Sequence, residues 1–426
     1  MQTCKEKPPE PPDTPLYKRN IFLSVEDTGV TEITLKVTIP ESVKNREFIV
    51  KRDGQTLFTT VLTYADTLLL DTALSPHHNY TYKAYRIKNN KLIDSSTIAF
   101  TTTMDTTSHE FTFVIDTLGD GFGSALYDVA IINENNIWAV GEMHFSGNDT
   151  LYDVAQWNGL QWNLLKASGF PAYAVYAFSS NDVWIGTTAP HHWNGQAWSG
   201  YNVTGIFNGY IKKMWGTSSS NLYIVGTNGS IAHFNGTTWT KMESGTNVDL
   251  LDIWGGSDGS IVWACGWKDQ SLTHRVLLKY TGQSWEKIHV KTDAFVWDDT
   301  LSGNPKAVWT NDNKRLFVLT SYGVYDCPSN TQGNGLRMYW DVGIGNFYGY
   351  PRVMRGQAKN DIVISGYEGI LWHYNGSSWL RYENFRGADN ELNSIAYKKG
   401  MFVSVGYIYH PIHSKGLVIR GRKYEQ

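Results

Sequence analysis

Cysteine is scarce in this chain of 426 residues: three in all, too few for a disulfide framework. Charge is sparse as well. Charged residues make up 18%, the net charge is −3, and the signs are mixed along the chain. That leaves no electrostatic case for nucleic acid or for an anionic membrane surface. No apolar run approaches the roughly 18 residues of a membrane helix. Long apolar helical patterns are few. Metal-ligand spacing, a phosphate loop, a Ser-His-Asp set and a conspicuous carboxylate pair are all missing, so neither a metal nor a cofactor is expected. Aromatics are plentiful instead, at 14%, with 17 Trp and 25 Tyr, beside 40 Gly. This balance predicts an all-β protein with many turns, and the length suits two or three domains.

The aromatics are not scattered. "SSNDVWIGTTAPHHWNGQAW" (Ser179–Trp198) returns as "SSSNLYIVGTNGSIAHFNGTTW" (Ser218–Trp239) and as "AKNDIVISGYEGILWHYNGSSW" (Ala358–Trp379). Each unit opens on a short apolar strand, such as "LYDVAI", "YIKKMWG" or "LLDIWGG". A polar turn leads to a second strand, which ends at Gly141, Gly186, Gly226, Gly266, Gly366 or Gly406; the fifth unit has Leu319 or Thr320 there. A third strand reaches Asn-Gly, a strong hairpin signal. A fourth starts at Trp162, Trp198, Trp239, Trp285, Trp340 or Trp379. Four strands in about 40–50 residues make one β-propeller blade. Such a sheet cannot bury both of its faces, so copies pack around a ring until it closes. The spacing predicts seven blades. The last unit lacks a fourth strand, and the orphan "HEFTFVIDTLG" (His109–Gly119) precedes the first. Phe111–Asp116 is expected to complete the last sheet and remove its open edge.

Ahead of the repeat, residues 20–105 read as seven short strands separated by turn signals such as Asp53-Gly54. Leu74, Pro76 and Tyr80 have the spacing of a tyrosine corner. This region resembles a fibronectin type III domain over its whole length, with Ile33 and Leu35 on the strand where the usual Trp would sit. The resemblance implies a β-sandwich. Residues 1–19 are polar and rich in proline, as a flexible tether is. With Cys4 at its head this stretch resembles the mature N-terminus of a bacterial lipoprotein. That implies an acylated Cys4, an extracytoplasmic location on the bacterial outer membrane surface, or secretion. Domains are therefore expected at 1–19, 20–105 and 106–426. Of the other cysteines, Cys265 reads as a buried core thiol and Cys327 as a strand end. A bridge between the two would have to join neighbouring repeats.

His192, His233 and His373 recur once per unit, so they cannot converge on one metal. They read as hydrogen-bonding positions in the hairpins; Gln156 and Lys279 stand there in other units. His77-His78 and the pair His410 and His413 read as loop residues. The repeat "NDVWxVG…HxNGxxW" resembles a family of bacterial secreted propellers. Fold does not give function. The loops leaving each outer strand, and those between second and third strands, are expected on one face of the ring. They carry Tyr201, Phe207, Tyr210, Trp267, Phe295, Trp297, Phe347, Tyr348, Tyr350, Phe385 and Tyr409, aromatics suited to stacking on sugars or gripping a peptide. The expected function is a non-enzymatic surface binding or adhesion protein whose partner is a glycan or a surface protein. Two alternatives stand beside it. One is a carbohydrate-active hydrolase or lyase using Asp298, Asp299, Asp341 and Glu383. The other is a structural subunit of a surface assembly.

Overall fold

The computed structural model describes residues 21–268, 275–291, 301, 303–328, 337–341 and 350–424. Cys4, Phe295, Trp297, Asp298, Asp299, Phe347 and Tyr348 lie outside them, as do the side chains of Cys327, Trp340 and Asp341. The chain divides into two compact units, the first ending at Thr106 and the second starting at Thr107.

The first unit is two antiparallel sheets. Phe22–Thr28, Ile33–Thr38 and Asp66–Asp71 form one; Gln55–Leu62, Arg46–Arg52, Asn79–Lys88, Lys91–Ser95 and Ala99–Thr102 form the other. Ile33, Leu35 and Val37 are buried against Phe48, Val50 and Tyr82 from the opposite sheet. A polar tie crosses this core: Asp71 accepts from Arg52 at 2.9 Å and from the Tyr82 hydroxyl at 2.7 Å. The Tyr80 hydroxyl accepts the Ser75 N–H at 2.9 Å, five residues upstream, which fixes the start of its strand. One strand was not expected from sequence. Lys91–Ser95 pairs with the strand before it through Asn89 and Asn90, both at positive φ. Its charged, weakly alternating sequence hides an edge strand.

The second unit contains, among the described residues, seven four-stranded antiparallel sheets. We number them 1 to 7 by their inner strands: Ala125–Asn133, Ala174–Ser179, Ile211–Ser218, Leu250–Gly255, Pro305–Trp309, Pro351–Ala358 and Asn390–Lys398. Each inner strand packs on the next, and that of sheet 7 packs on that of sheet 1, so the sheets form a ring. The fourth strand of sheet 7 is Phe111–Leu118, paired along its full length with Lys415–Lys423. Val403, Val405 and Val418 of sheet 7 share a core with Leu126, Val129 and Ala139 of sheet 1. The last sheet is thereby built from both ends of the unit.

The outer hairpins explain the repeated "NG…W". An aromatic before each turn pairs across the strands with the Trp after it: Trp193 with Trp198, Phe234 with Trp239, Tyr374 with Trp379. Their ring centroids lie 4.9–5.6 Å apart. Such cross-strand pairs stabilise a sheet edge. The histidine one residue earlier reaches back to the second strand's first residue. His192 and His373 meet Asp182 and Asp361 at 2.9 and 2.8 Å, and His233 meets Asn221 at 2.8 Å. Sheet 5 departs from the pattern: its fourth strand starts at Arg337, ahead of Trp340.

Candidate binding mouth

The inner strands share an irregularity near their first residues. In six sheets the register with the second strand slips by one residue, leaving Tyr127, Lys212, Leu251, Lys306, Arg352 or Asn393 unpaired. This is a β-bulge, which bends the strand and redirects a side chain. Sheet 2 has Tyr173 at the same place, one residue before its inner strand. The glycines ending the second strands of sheets 1, 3, 4, 6 and 7 sit opposite these bulges, whereas Gly186 of sheet 2 faces the Ile211 side chain. A Cβ on Gly226 would stand 1.9 Å from the Tyr210 carbonyl oxygen, and one on Gly406 1.8 Å from that of Glu391. Close approach of the backbone therefore explains the recurring glycine. In sheet 5 the position opposite Pro305 is Thr320, and the bulge persists.

All seven of these side chains line one cavity of about 1190 Å³ at one end of the ring. Their sequence is Tyr, Tyr, Lys, Leu, Lys, Arg, Asn: three cations and no acid, in a chain of net charge −3. In sheets 1, 3, 4 and 7 the next residue of the inner strand is polar and buried: Asp128, Lys213, Asp252 and Ser394. There Lys213 pairs with Asp128, which also accepts from Ser394 at 2.6 Å and from the Val175 N–H at 3.0 Å. Arg355 of sheet 6 grips Asp252 of sheet 4 through both oxygens at 2.6 and 2.9 Å, and Asp252 accepts the Val308 N–H at 2.9 Å. The floor of the mouth is thus charge-matched across the ring, with every one of these four charges buried.

The rim cations are held differently, over aromatic faces. Lys306 Nζ lies 4.2 Å from the centre of the Trp267 ring. Lys212 Nζ lies 5.1 Å from the Tyr173 ring and 5.6 Å from the Tyr210 ring. The Arg352 guanidinium sits 4.4 Å over Tyr367 and donates to Asn393 at 2.8 Å. Burial, followed by the neighbouring Arg352 charge, pushes Lys306 down to about 8. Lys212 is lowered as well, mainly by burial; Asp249 opposes that shift and Arg352 adds to it. Glu142 accepts a short hydrogen bond from the Tyr127 hydroxyl.

The loop aromatics divide into two groups. Trp267, Tyr350 and Tyr409 line the cavity, and Tyr350 and Tyr409 are well exposed. Tyr210 is exposed beside them, its ring 5.2 Å from Tyr173. Phe207 and Phe385 correct the expectation of an exposed cluster. Phe207 is buried among Ile211, Ile224 and Val203, and Phe385 in a short 3-10 turn is buried against Leu392 and Phe113. Tyr201 packs on Trp184 and Phe234 at the join of sheets 2 and 3. These three fill gaps between sheets. His410 is at the rim with His413 beside it, ring centres 6.2 Å apart. Among the described residues no group of three or more His, Cys, Asp or Glu side chains could hold a metal. Glu383 is exposed and faces Arg381 and Arg386 at 3.5 and 3.9 Å, away from the cavity. Sequence reasoning missed Tyr127, Lys212, Lys306 and Arg352. The available signal was a residue of varying type just inside the apolar start of every inner strand.

No protein-family model matches the sequence, and no curated protein matches it. Among solved structures the chain is similar to "YCF48 bound to D1 peptide", at 15% identity and a TM-score of 0.53, over 73% of this chain and 95% of that one. The fold is a β-propeller. The chain also aligns with the computationally designed Ika8 protein at 13% identity, over 70% of this chain and 98% of that one, with a TM-score of 0.45.

Proposed function

We propose that this chain is a non-enzymatic binding protein whose propeller mouth grips a segment of another protein. The observation that carries this reading is the convergence of seven side chains of five types, six of them placed by a bulge, on a single cavity. A site that must fit one partner varies where the scaffold repeats. The similar YCF48 structure holds a D1 peptide, which is consistent with a protein ligand at a propeller. We read the ring as seven blades closed by Phe111–Leu118, and residues 20–105 as a fibronectin type III-like spacer. Residues 1–19 then form a tether from a lipidated Cys4 to an extracytoplasmic surface. Metabolic labelling with a palmitate analogue, lost in Cys4→Ala, tests that anchor.

The mouth is tested by panning a random-peptide display library on the full chain, then on Tyr173→Ala/Leu251→Ala. Enriched peptides that lose at least about tenfold in affinity on the variant, roughly 1.4 kcal/mol, support the reading. An empty screen together with mouth-dependent hits on a glycan array would replace the protein ligand with a sugar.

A further inference from the structure

The mouth's charge is unbalanced in a specific place. Lys213 and Arg355 on the floor have carboxylates in contact. Lys212, Lys306 and Arg352, one step nearer solvent, have none within ion-pair distance among the described residues. Asp249 is the acid closest in influence to Lys212, and its Oδ1 already accepts the Asn228 N–H at 2.8 Å. Glu391 feels Arg352, while desolvation on burial raises its pKa. Arg352 in turn depresses both lysines, which places three cations within one another's field. Gathering like charges on half-buried side chains is unfavourable unless an anion joins them.

We propose that the occupant of this mouth is an acidic segment of a partner protein, its carboxylates seated on Lys306, Arg352 and Lys212. The proposal rests on the mouth being a peptide site and adds the chemistry of the peptide. Two observations select a chain of carboxylates over other anions. The cations come from three different strands, in sheets 3, 5 and 6, and so are set along an arc of the mouth rather than in one loop. The rings of Trp267, Tyr173 and Tyr367 already carry a cation on one face. A sugar ring stacking beside these cations finds one face of each of those three rings already taken. Carboxylates on flexible stems need only the cations, which the rings hold in place.

The test is fluorescence anisotropy with the full chain and a labelled octapeptide of alternating Glu and Gly, at about 50 mM salt. Its Gln counterpart is the second probe; unlabelled oligogalacturonate and inorganic phosphate are the competitors. The acidic peptide is expected to bind at least about tenfold more tightly than the Gln form. Lys306→Met/Arg352→Met should lose at least about tenfold with an unchanged melting curve, and Lys306→Arg should retain binding. Equal affinity for the Gln peptide, or undiminished binding by the double variant, overturns the acidic ligand while leaving a neutral peptide site standing. Displacement by oligogalacturonate below the peptide's own concentration assigns the arc to a glycan. Displacement by phosphate at equal molarity reduces it to a simple anion site. Either result ends the proposal.

Discussion

The outer hairpins of the ring and the starts of its inner strands obey opposite rules. At the hairpins the same residues recur: Asn-Gly, a flanking pair of aromatics, and a histidine tied to the second strand. At the bulges the backbone recurs and the side chains differ. Residues repeated around a ring satisfy a need that every sheet has. Residues that change at a fixed geometric position serve something that exists once. The floor of the mouth lies between these cases: its charges do not repeat, yet they pair with one another and lock sheet 1 to sheet 3 and sheet 4 to sheet 6.

If that division is right, substitutions in the three zones separate cleanly. The largest loss is expected on the floor. Arg355→Met strands a buried Asp252 carboxylate and should cost about 3–5 kcal/mol in chemical denaturation. Adding Asp252→Leu should restore most of that. A single variant with no effect would mean that the charges are solvated and the ring is held otherwise. Next comes a hairpin: Trp239→Ala removes a ring packed on Phe234 and Trp184 and should cost about 3 kcal/mol, without altering ligand affinity.

A smaller effect is expected with pH. His109 stands just before the closing strand, with its ring nitrogen 2.8 Å from His373. Burial, then the His373 charge, lowers it from 6.5 to about 4. Between those values the unfolded chain binds the extra proton, so stability is full above about pH 6.5 and falls as pH drops toward 4. Thermal melts across that window should show the slope, and His109→Gln should flatten it; an unchanged slope would remove His109 from the closure. The smallest stability effect belongs to the rim. Lys306→Ala should stay within about 0.5 kcal/mol of the parent. Binding of an acidic peptide should weaken as pH rises through about 8, where Lys306 loses its proton, and Lys306→Arg should abolish that fall.

Much of the scaffold was legible because its signals are local. Asn-Gly turns, the Trp after them and the strand-ending glycine lie within a few residues of what they determine. The unmatched third strand at the C-terminus and the orphan strand at Phe111 also read directly as two halves of one sheet. The mouth was less legible. Its ion pairs join residues 85 and 103 positions apart, and no spacing rule links them. A bulge is a one-residue slip that leaves the apolar pattern intact, so Lys212 and Lys306 read as ordinary strand residues. Phe207 and Phe385 misled for the opposite reason. They lie in loops rich in Asn and Gly, but the loops fold back and spend those rings on gaps between sheets.

Hydrogen exchange of the full chain, with and without a saturating Glu-Gly octapeptide, tests the division between repeat and site most directly. Slowed exchange confined to the starts of the inner strands, at residues 125–128, 211–213, 305–308 and 351–353, is the predicted outcome. Protection at the outer hairpins 194–198 and 375–379 instead, or none anywhere, would contradict it.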